Sequence, residues 1–529
     1  MFFLLQLRTF SLIYPCMAFG SVLQLINFTR KSKQVSFIRG QEAFMLYKST
    51  RGFQEKVLSA QAILNGIAPD GGLYIPESFP TLDLNKCMAM SYQELAAYIL
   101  SLYLTDYSDA EIKCAVYKAY DEKFVDEIVP IKYLEGRSVL ELYHGRTLAF
   151  KDMALSILPH LMKKASKKLD VKEEIVILTA TSGDTGKAAL EGFCDVEGIK
   201  IVVFYPSEGI SDIQKHQMVS QKGDNTYVFG IKGNFDDAQS SVKSIFLDED
   251  LKASLKEKGY QFSSANSINI GRLIPQIVYY VHGYLEHIRN NKLQFGEKMN
   301  VIVPTGNFGN ILAAKYAKSM GLPIDRLICA SNENAVLTDF IQTGTYDLDR
   351  KFKVTNSPSM DILISSNLER YLALMGEDVP TLMASLKENK RYSISESGRN
   401  QMSDFYAQFA TERETVQKIK EVYETEGYLM DTHTAVAQVV YDRYVEDSGD
   451  HKVSLIASTA SPYKFTRDVL KSISDELLLD DDFELIHVLS EKTGLEIPEP
   501  IKTLAEDLVL HPHVISKVSI KNTVETILR

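Results

Sequence analysis

Ile175-Val176-Ile177-Leu178-Thr179-Ala180-Thr181-Ser182-Gly183-Asp184-Thr185-Gly186-Lys187 runs from four aliphatic residues into a loop of small polar ones and then into an Ala-rich helical pattern. A short apolar run closed by such a loop, with a helix starting at once, reads as a parallel strand of a βα unit. The pattern recurs at Ile201-Val202-Val203-Phe204, Tyr227-Val228-Phe229, Val301-Ile302-Val303, Leu327-Ile328-Cys329 and Val453-Ser454-Leu455-Ile456. Apolar runs of this kind, unbroken by alternation, belong to strands covered on both faces. The fold class is therefore α/β, built as open, mostly parallel α/β domains. Upstream, 45–140 reads as mainly helical, around 91–103 and 109–124, and 466–529 reads as a helical, polar C-terminal region.

The chain has 529 residues, 45% hydrophobic and 24% charged, with a net charge of −11. This is ordinary globular composition, long enough for about three or four units, and it excludes disorder, collagen and small disulfide scaffolds. Residues 1–44 carry five basic residues against one acid, a charge of +4, which leaves −15 on the other 485. An acidic body offers no footprint for nucleic acid. Cys16, Cys87, Cys114, Cys194 and Cys329 lack CxxC spacing. They predict reduced thiols in a cytoplasmic protein, with no metal site or disulfide framework.

The apolar start of the chain is interrupted by Arg8 and diluted by Thr9, Ser11, Pro15, Gln24 and Asn27. It supplies no clean stretch of about twenty apolar residues, so no stable membrane insertion is expected. It also lacks the basic opening and small-residue cleavage site of a secretory signal. An organellar presequence is one reading, because acids are nearly absent. The reading adopted is an extension outside the fold, with Met45 as the working start.

Three loops can do chemistry. The first, Thr179 to Lys187, opens a helix whose N-terminal N–H groups suit a carboxylate or phosphate. It is not a P-loop, which needs Gly where Thr181 stands and Ser or Thr where Ala188 stands. The second, Pro304-Thr305-Gly306-Asn307-Phe308-Gly309-Asn310, lies between another strand and helix and forms a second anion cradle. It does not match GxGxxG. Two cradles in one α/β chain suggest a ligand with two acidic ends, or a phosphorylated cofactor beside an acidic substrate. In the third, Glu141 to Asp152, Lys151 follows apolar Ala149 and Phe150. A partly buried lysine loses its proton more readily and can then form a Schiff base or act as a base. A surface lysine at a helix start is the rival reading, and only context separates the two.

That context is a resemblance. HGRTLAFKD (144–152), TATSGDTGKAA (179–189), SANSINIGRL (264–273), PTGNFGN (304–310) and ASTASPYKF (457–465), in this order, resemble the motif set of threonine synthase. Supporting stretches are Ser49-Thr50-Arg51-Gly52, Pro69 to Tyr74, Asn234-Phe235-Asp236-Asp237, Ser359-Met360-Asp361-Ile362 and His433-Thr434-Ala435-Val436-Ala437. The likeness covers about nine-tenths of the chain, from Met45 onward. It implies two α/β subdomains around a cofactor cleft in 141–465, an N-terminal threonine synthase domain in 45–140, and pyridoxal 5′-phosphate as cofactor.

The resemblance also implies roles. Lys151 would carry the cofactor and be the catalytic residue, beside Phe150. Gly306, Asn307, Phe308, Gly309 and Asn310 would hold the cofactor phosphate, Asp184 would lie near the ring hydroxyl, and Thr459 at the ring nitrogen. Ser182 and Thr185 would face the substrate carboxylate. Asn266, Ser267 and Arg272 would take a substrate phosphate, for which the planar arginine fork is suited; capping of the helix near Gly271 is an equal reading for Asn266 and Ser267. The implied reaction is that of a lyase, O-phospho-L-homoserine and water giving L-threonine and phosphate, the last step of threonine biosynthesis. Two alternatives are a phospholyase of the same fold that yields 2-oxobutyrate, and a binding module without chemistry. A monomer or homodimer is expected. Departures from the family pattern are Arg146, in HGRT where Pro is usual, and Ser461 and Tyr463 in SPYKF.

Overall fold

The computed structural model describes residues 38–39, 42–124, 127–181, 183–207, 210–233, 235–246, 248–474 and 480–529. The chain divides into two units, Met1–Phe44 and Met45–Arg529. In the first, Ile38–Arg39 pairs antiparallel with Glu42–Ala43.

The second unit is α/β, as the sequence predicts, with two largely parallel sheets. One has the strand order Tyr260–Ser263, Glu174–Ala180, Ile199–Pro206, Thr226–Lys232, Val514–Ser516, parallel throughout. The other runs Phe405–Phe409, Ile324–Ser331, Met299–Pro304, Ser454–Ser458, Arg137–Glu141, Ile131–Leu134, and only the last pair is antiparallel. All the apolar runs read from the sequence fall in these strands, apart from Val453 at one edge. Met299–Pro304 is buried at every position, as expected of a strand covered on both faces.

Helices supply the covers. One core cluster joins the N-terminal helices, the Gln276–Arg289 helix and the inner faces of both sheets. Two smaller clusters seal the outer faces, one under Phe235–Phe246 and Ile520–Ile527, the other under Thr432–Ser448. Tyr92–Tyr103 and Asp109–Ala119 start where the sequence reading puts them, because Ser91 with Glu94 and Ser108 with Glu111 form reciprocal capping boxes. No helix among the described residues is long and apolar enough to cross a membrane.

Two expectations need correction. The region 466–529 is not wholly helical: Val514–Ser516 adds an edge strand beside Thr226–Lys232, and the Gly230 N–H donates to the His513 carbonyl at 2.9 Å. Three residues with no alternation carry no strand signal of their own, so pairing with a waiting edge makes this one. Likewise Ile131–Leu134 and Arg137–Glu141, within the stretch read as mainly helical, form a hairpin edge of the second sheet.

Candidate active site

The candidate segments leave the carboxyl ends of parallel strands, where open α/β sheets bind ligands. Arg137–Glu141 leads to Lys151, Glu174–Ala180 to Asp184, Tyr260–Ser263 to Arg272, Met299–Pro304 to Gly306–Asn310 and Ser454–Ser458 to Thr459.

The loop before Lys151 is folded back on itself. Asp152 accepts the Thr147 N–H at 2.8 Å and the Thr147 hydroxyl at 2.5 Å, and Leu148 takes a left-handed φ of 57°. Such a conformation costs a leucine about 1–3 kcal/mol and persists only where its surroundings hold it. The Phe150 N–H donates to the Thr459 carbonyl at 2.9 Å, which ties this loop to the end of the neighbouring strand. The Phe150 ring lies 5.0 Å from the Lys151 ammonium.

Lys151 Nζ donates to Asp184 Oδ2 at 3.1 Å. A second lysine approaches the same carboxylate: Lys464, 1% exposed, reaches Asp184 Oδ1 at 2.7 Å and donates to the Thr147 carbonyl at 2.9 Å. Gln214 Nε2 at 2.9 Å and Ser359 Oγ at 3.3 Å complete the shell. Burial alone would raise the Asp184 pKa, but Lys151 and Lys464 outweigh it and hold the carboxyl well below its usual range. Lys151 is shifted down, by burial first and by Lys464 and Arg272 in addition, against the pull of Asp184. The result is an ionised carboxylate beside an amine that gives up its proton more easily than a free lysine.

Gly183 makes this packing possible. Its φ of 146° is closed to other residues, and a Cβ there would lie 2.7 Å from the Gln214 amide. The Thr181 hydroxyl accepts the Gly183 and Gly186 N–H groups at 3.0 and 2.9 Å where the following helix begins. Thr185 is half-buried in the first turn. Ser182 and Asn234 lie outside the described residues.

The second cradle touches this cluster through Ser359. A Cβ on Gly306 would stand 2.6 Å from the Ser359 carbonyl, so only glycine fits. Phe308 is left-handed, at φ 62°. Its ring stacks on Phe405 and leans on Tyr371 in the core, at centroid distances of 5.9 Å, and burying it recovers about 2–3 kcal/mol against the backbone strain. The Asn307 side chain is exposed and accepts from the Ser366 hydroxyl at 3.1 Å. For these two positions only the backbone faces the cradle. Asn310 is buried: its Oδ1 accepts from Tyr279 at 2.8 Å and from Tyr280, while its Nδ2 has no partner.

Arg272 is 4% exposed, donates from Nη1 to the Ala265 carbonyl at 3.0 Å and leaves Nε unpartnered. No acid among the described residues pairs with it, and burial lowers its pKa to about 10. Asn269, not Asn266 or Ser267, caps the short helix Ile270–Leu273, its Oδ1 accepting the Gly271 N–H at 2.9 Å. The capping reading for Asn266 and Ser267 is thereby overturned. Both are half-buried, with a Cβ on Gly309 placed 3.9 Å from Ser267 Cβ.

Sequence reasoning missed Lys464, Gln214, Ser359 and His433. The Ser359 N–H donates to His433 Nε2 at 3.1 Å, while His433 Nδ1 is held by Asp431 at 2.9 Å. Lys464, Ser359 and His433 stand inside quoted motifs, but the contacts that bring them to the site, Lys464 and Ser359 to Asp184 and His433 to Ser359, cross 74 or more residues, beyond any spacing rule. The departures from the family pattern turn away from the cluster. Arg146 pairs with Glu191 at 3.2 Å on the surface, Ser461 accepts the Tyr463 N–H at 3.3 Å, and the Tyr463 hydroxyl donates to the Leu495 carbonyl at 2.6 Å.

A buried lysine with a lowered pKa, beside a glycine-lined cradle and two buried donors left without partners, fits a phosphorylated carbonyl cofactor. Residues 139–458 match the family model of the pyridoxal-phosphate dependent enzymes, which sets the class of the protein. Residues 46–120 match that of the threonine synthase N terminus. The chain is 40% identical over 456 residues to threonine synthase-like 1 of Homo sapiens, spanning 82% of this chain and 61% of that one. It is 34% identical over 469 residues to threonine synthase of Saccharomyces cerevisiae, spanning 82% and 90%. The crystal structure of pyridoxal-phosphate-bound threonine synthase from Brucella melitensis superposes with a TM-score of 0.79 at 33% identity, covering 92% of this chain and 98% of the other. The chain belongs to the threonine synthase family of pyridoxal-phosphate-dependent enzymes.

Proposed function

We propose that this chain is a threonine synthase, converting O-phospho-L-homoserine and water to L-threonine and phosphate. The observation that carries the reading is Arg272, a buried guanidinium with a free Nε and no acid partner among the described residues, close enough to Lys151 to weaken its hold on a proton. Such a group is costly to bury unless an anion arrives, and a phosphate on the substrate supplies one.

Lys151 would carry the cofactor, with Phe150 beside it. Asp184 would lie near the ring hydroxyl, Thr459 at the ring nitrogen, and Gly306 to Asn310 would hold the phosphate, Asn310 through its spare Nδ2. When bound, the cofactor supplies an electron sink for charge developing at the substrate Cα and Cβ. Once the substrate amine displaces it, the freed Lys151 amine would take the proton from Cα, and its lowered proton affinity makes a lysine serviceable as that base. Lys464 keeps Asp184 ionised throughout. Ser182 and Thr185 would face the substrate carboxylate; Asn266, Ser267 and Arg272 would hold the phosphate until loss of a Cβ proton expels it from Cγ. Cγ is then protonated as the double bond shifts to Cα–Cβ, water adds its hydroxyl at Cβ, and a proton returned to Cα completes threonine. The reading includes a cytoplasmic enzyme, for which the unpaired thiols of Cys87, Cys114, Cys194 and Cys329 are support, and a monomer or homodimer.

The test is product identification. Full-length protein loaded with cofactor is incubated with O-phospho-L-homoserine, and amino-acid and phosphate products are quantified. Threonine and phosphate in equal amounts support the reading; 2-oxobutyrate with phosphate replaces it by the phospholyase, and no phosphate release overturns both. Lys151→Ala is expected to abolish the yellow cofactor band and phosphate release together.

A further inference from the structure

Arg370 is fully buried, with no exposed surface, and no acid among the described residues pairs with it. Burial pulls its pKa down to about 10. Its guanidinium is satisfied by oxygens from three separate segments: Nε donates to the Tyr74 carbonyl at 2.9 Å, Nη1 to the Ser267 carbonyl at 3.4 Å and to Asn367 Oδ1, and Nη2 to the Ile268 carbonyl. Asn367 is buried as well. Its backbone N–H and its Nδ2 both donate to the Asn307 carbonyl, at 3.1 and 3.0 Å. Beside it, the Ser365 hydroxyl donates to the Gly306 carbonyl at 2.8 Å. Glu369, on the same turn, anchors the whole to the N-terminal part through a fork with Arg51, at 3.0 and 2.8 Å.

Two loops that hold no direct hydrogen bond to one another are thus joined through one arginine and one asparagine. The Asn266–Ile268 loop leads into Arg272; the Gly306–Asn307 loop opens the other cradle. An arginine can do this because five N–H donors sit in a rigid plane, each fixed in direction; a lysine offers three donors at a single point. Burying an unpaired charge is expensive, so the clamp persists only because the oxygens around it are fixed in place.

From this geometry we propose that Arg370 and Asn367 are positioning residues that set the separation of the two phosphate subsites, and so the length of substrate the enzyme accepts. The inference rests on the reading given under Proposed function. A substrate anchored at its amino end by the cofactor and at its far end by Arg272 must span a fixed gap. One methylene in a fitted site is worth about 10–200-fold in discrimination. A loosened clamp lets the gap vary, and a ligand one methylene too short then loses less.

The test compares O-phospho-L-homoserine with O-phospho-L-serine, one methylene shorter, in holoenzyme of the natural chain, Arg370→Lys and Asn367→Ala. Dissociation constants come from perturbation of the cofactor absorbance band, with steady-state KM and kcat alongside. In Arg370→Lys the preference for the longer ligand is expected to fall about tenfold, with KM rising more than kcat drops and the cofactor band retained. Asn367→Ala should shift the preference the same way by a smaller factor, and it decides alone if Arg370→Lys does not accumulate as folded protein. Both ligands weakened by the same factor in the variants would mean a purely structural role and overturns the inference. A natural chain that responds to neither ligand overturns the parent reading instead.

Discussion

At Asp184 each charged group meets its partner before any ligand arrives: two lysines, an amide and a hydroxyl converge on one carboxylate within 2.7–3.3 Å. At Arg272 and Asn310 the reverse holds, with buried donors facing no acceptor. Both regions are buried and polar, so exposure does not explain the difference. The first is arranged so that a lysine can lose its proton inside a folded protein; the second leaves donors unpaired at a cost of about 1–3 kcal/mol each, recovered when an anion binds. The comparison separates machinery that is preorganised from machinery that is incomplete without its ligand.

The strongest way to break this contrast is Asp184→Ala. It strands two buried ammonium groups and is expected to lower unfolding free energy by about 3–5 kcal/mol in chemical denaturation. A cost below 1 kcal/mol would show that the lysines are solvated and the region is not closed. Arg272→Met should behave oppositely. Removing an unpaired buried charge leaves the ligand-free protein as stable as before or up to about 2 kcal/mol more so, while phosphate-dependent substrate binding falls by two orders of magnitude or so. Marked destabilisation would reveal a structural partner for Arg272.

The smallest effect sharpens the lysine pair. In Lys464→Met a like charge disappears and Asp184 is left to Lys151, so both changes strengthen the hold of Lys151 on its proton. The inflection in the pH dependence of Lys151 acylation, read in apoprotein by mass spectrometry, should move to higher pH. Lys464→Arg, which keeps the charge, should leave the inflection closer to that of the natural chain. Movement to lower pH would mean that Lys464 acts on Lys151 through loop geometry and not through charge.

Much of the site was readable in the chain because its parts are local. A strand, a small-residue loop and a helix N-terminus are contiguous, so Asp184, Gly306 and Asn310 announce themselves by spacing, and Lys151 by the motif around it. Capping boxes at Ser91 and Ser108 are likewise contained within four residues. The direction of side chains was not readable. Phe308 and Asn307 belong to the cradle by sequence, yet one ring enters the core and the other amide faces outward, because the backbone turn at φ 62° points them there.

What periodicity and composition settle in this chain is the class of fold, parallel strands with helices between, since burial on both faces leaves unbroken apolar runs and each run needs only its own neighbours. Pairings between distant segments were left to tertiary structure. Lys464 reaches Asp184 across 280 positions, Arg370 reaches Tyr74 across 296, and Val514–Ser516 becomes a strand only beside Gly230. No local pattern encodes such contacts, because each depends on an edge, a carbonyl or a carboxylate that exists in place only once the rest of the molecule has folded around it.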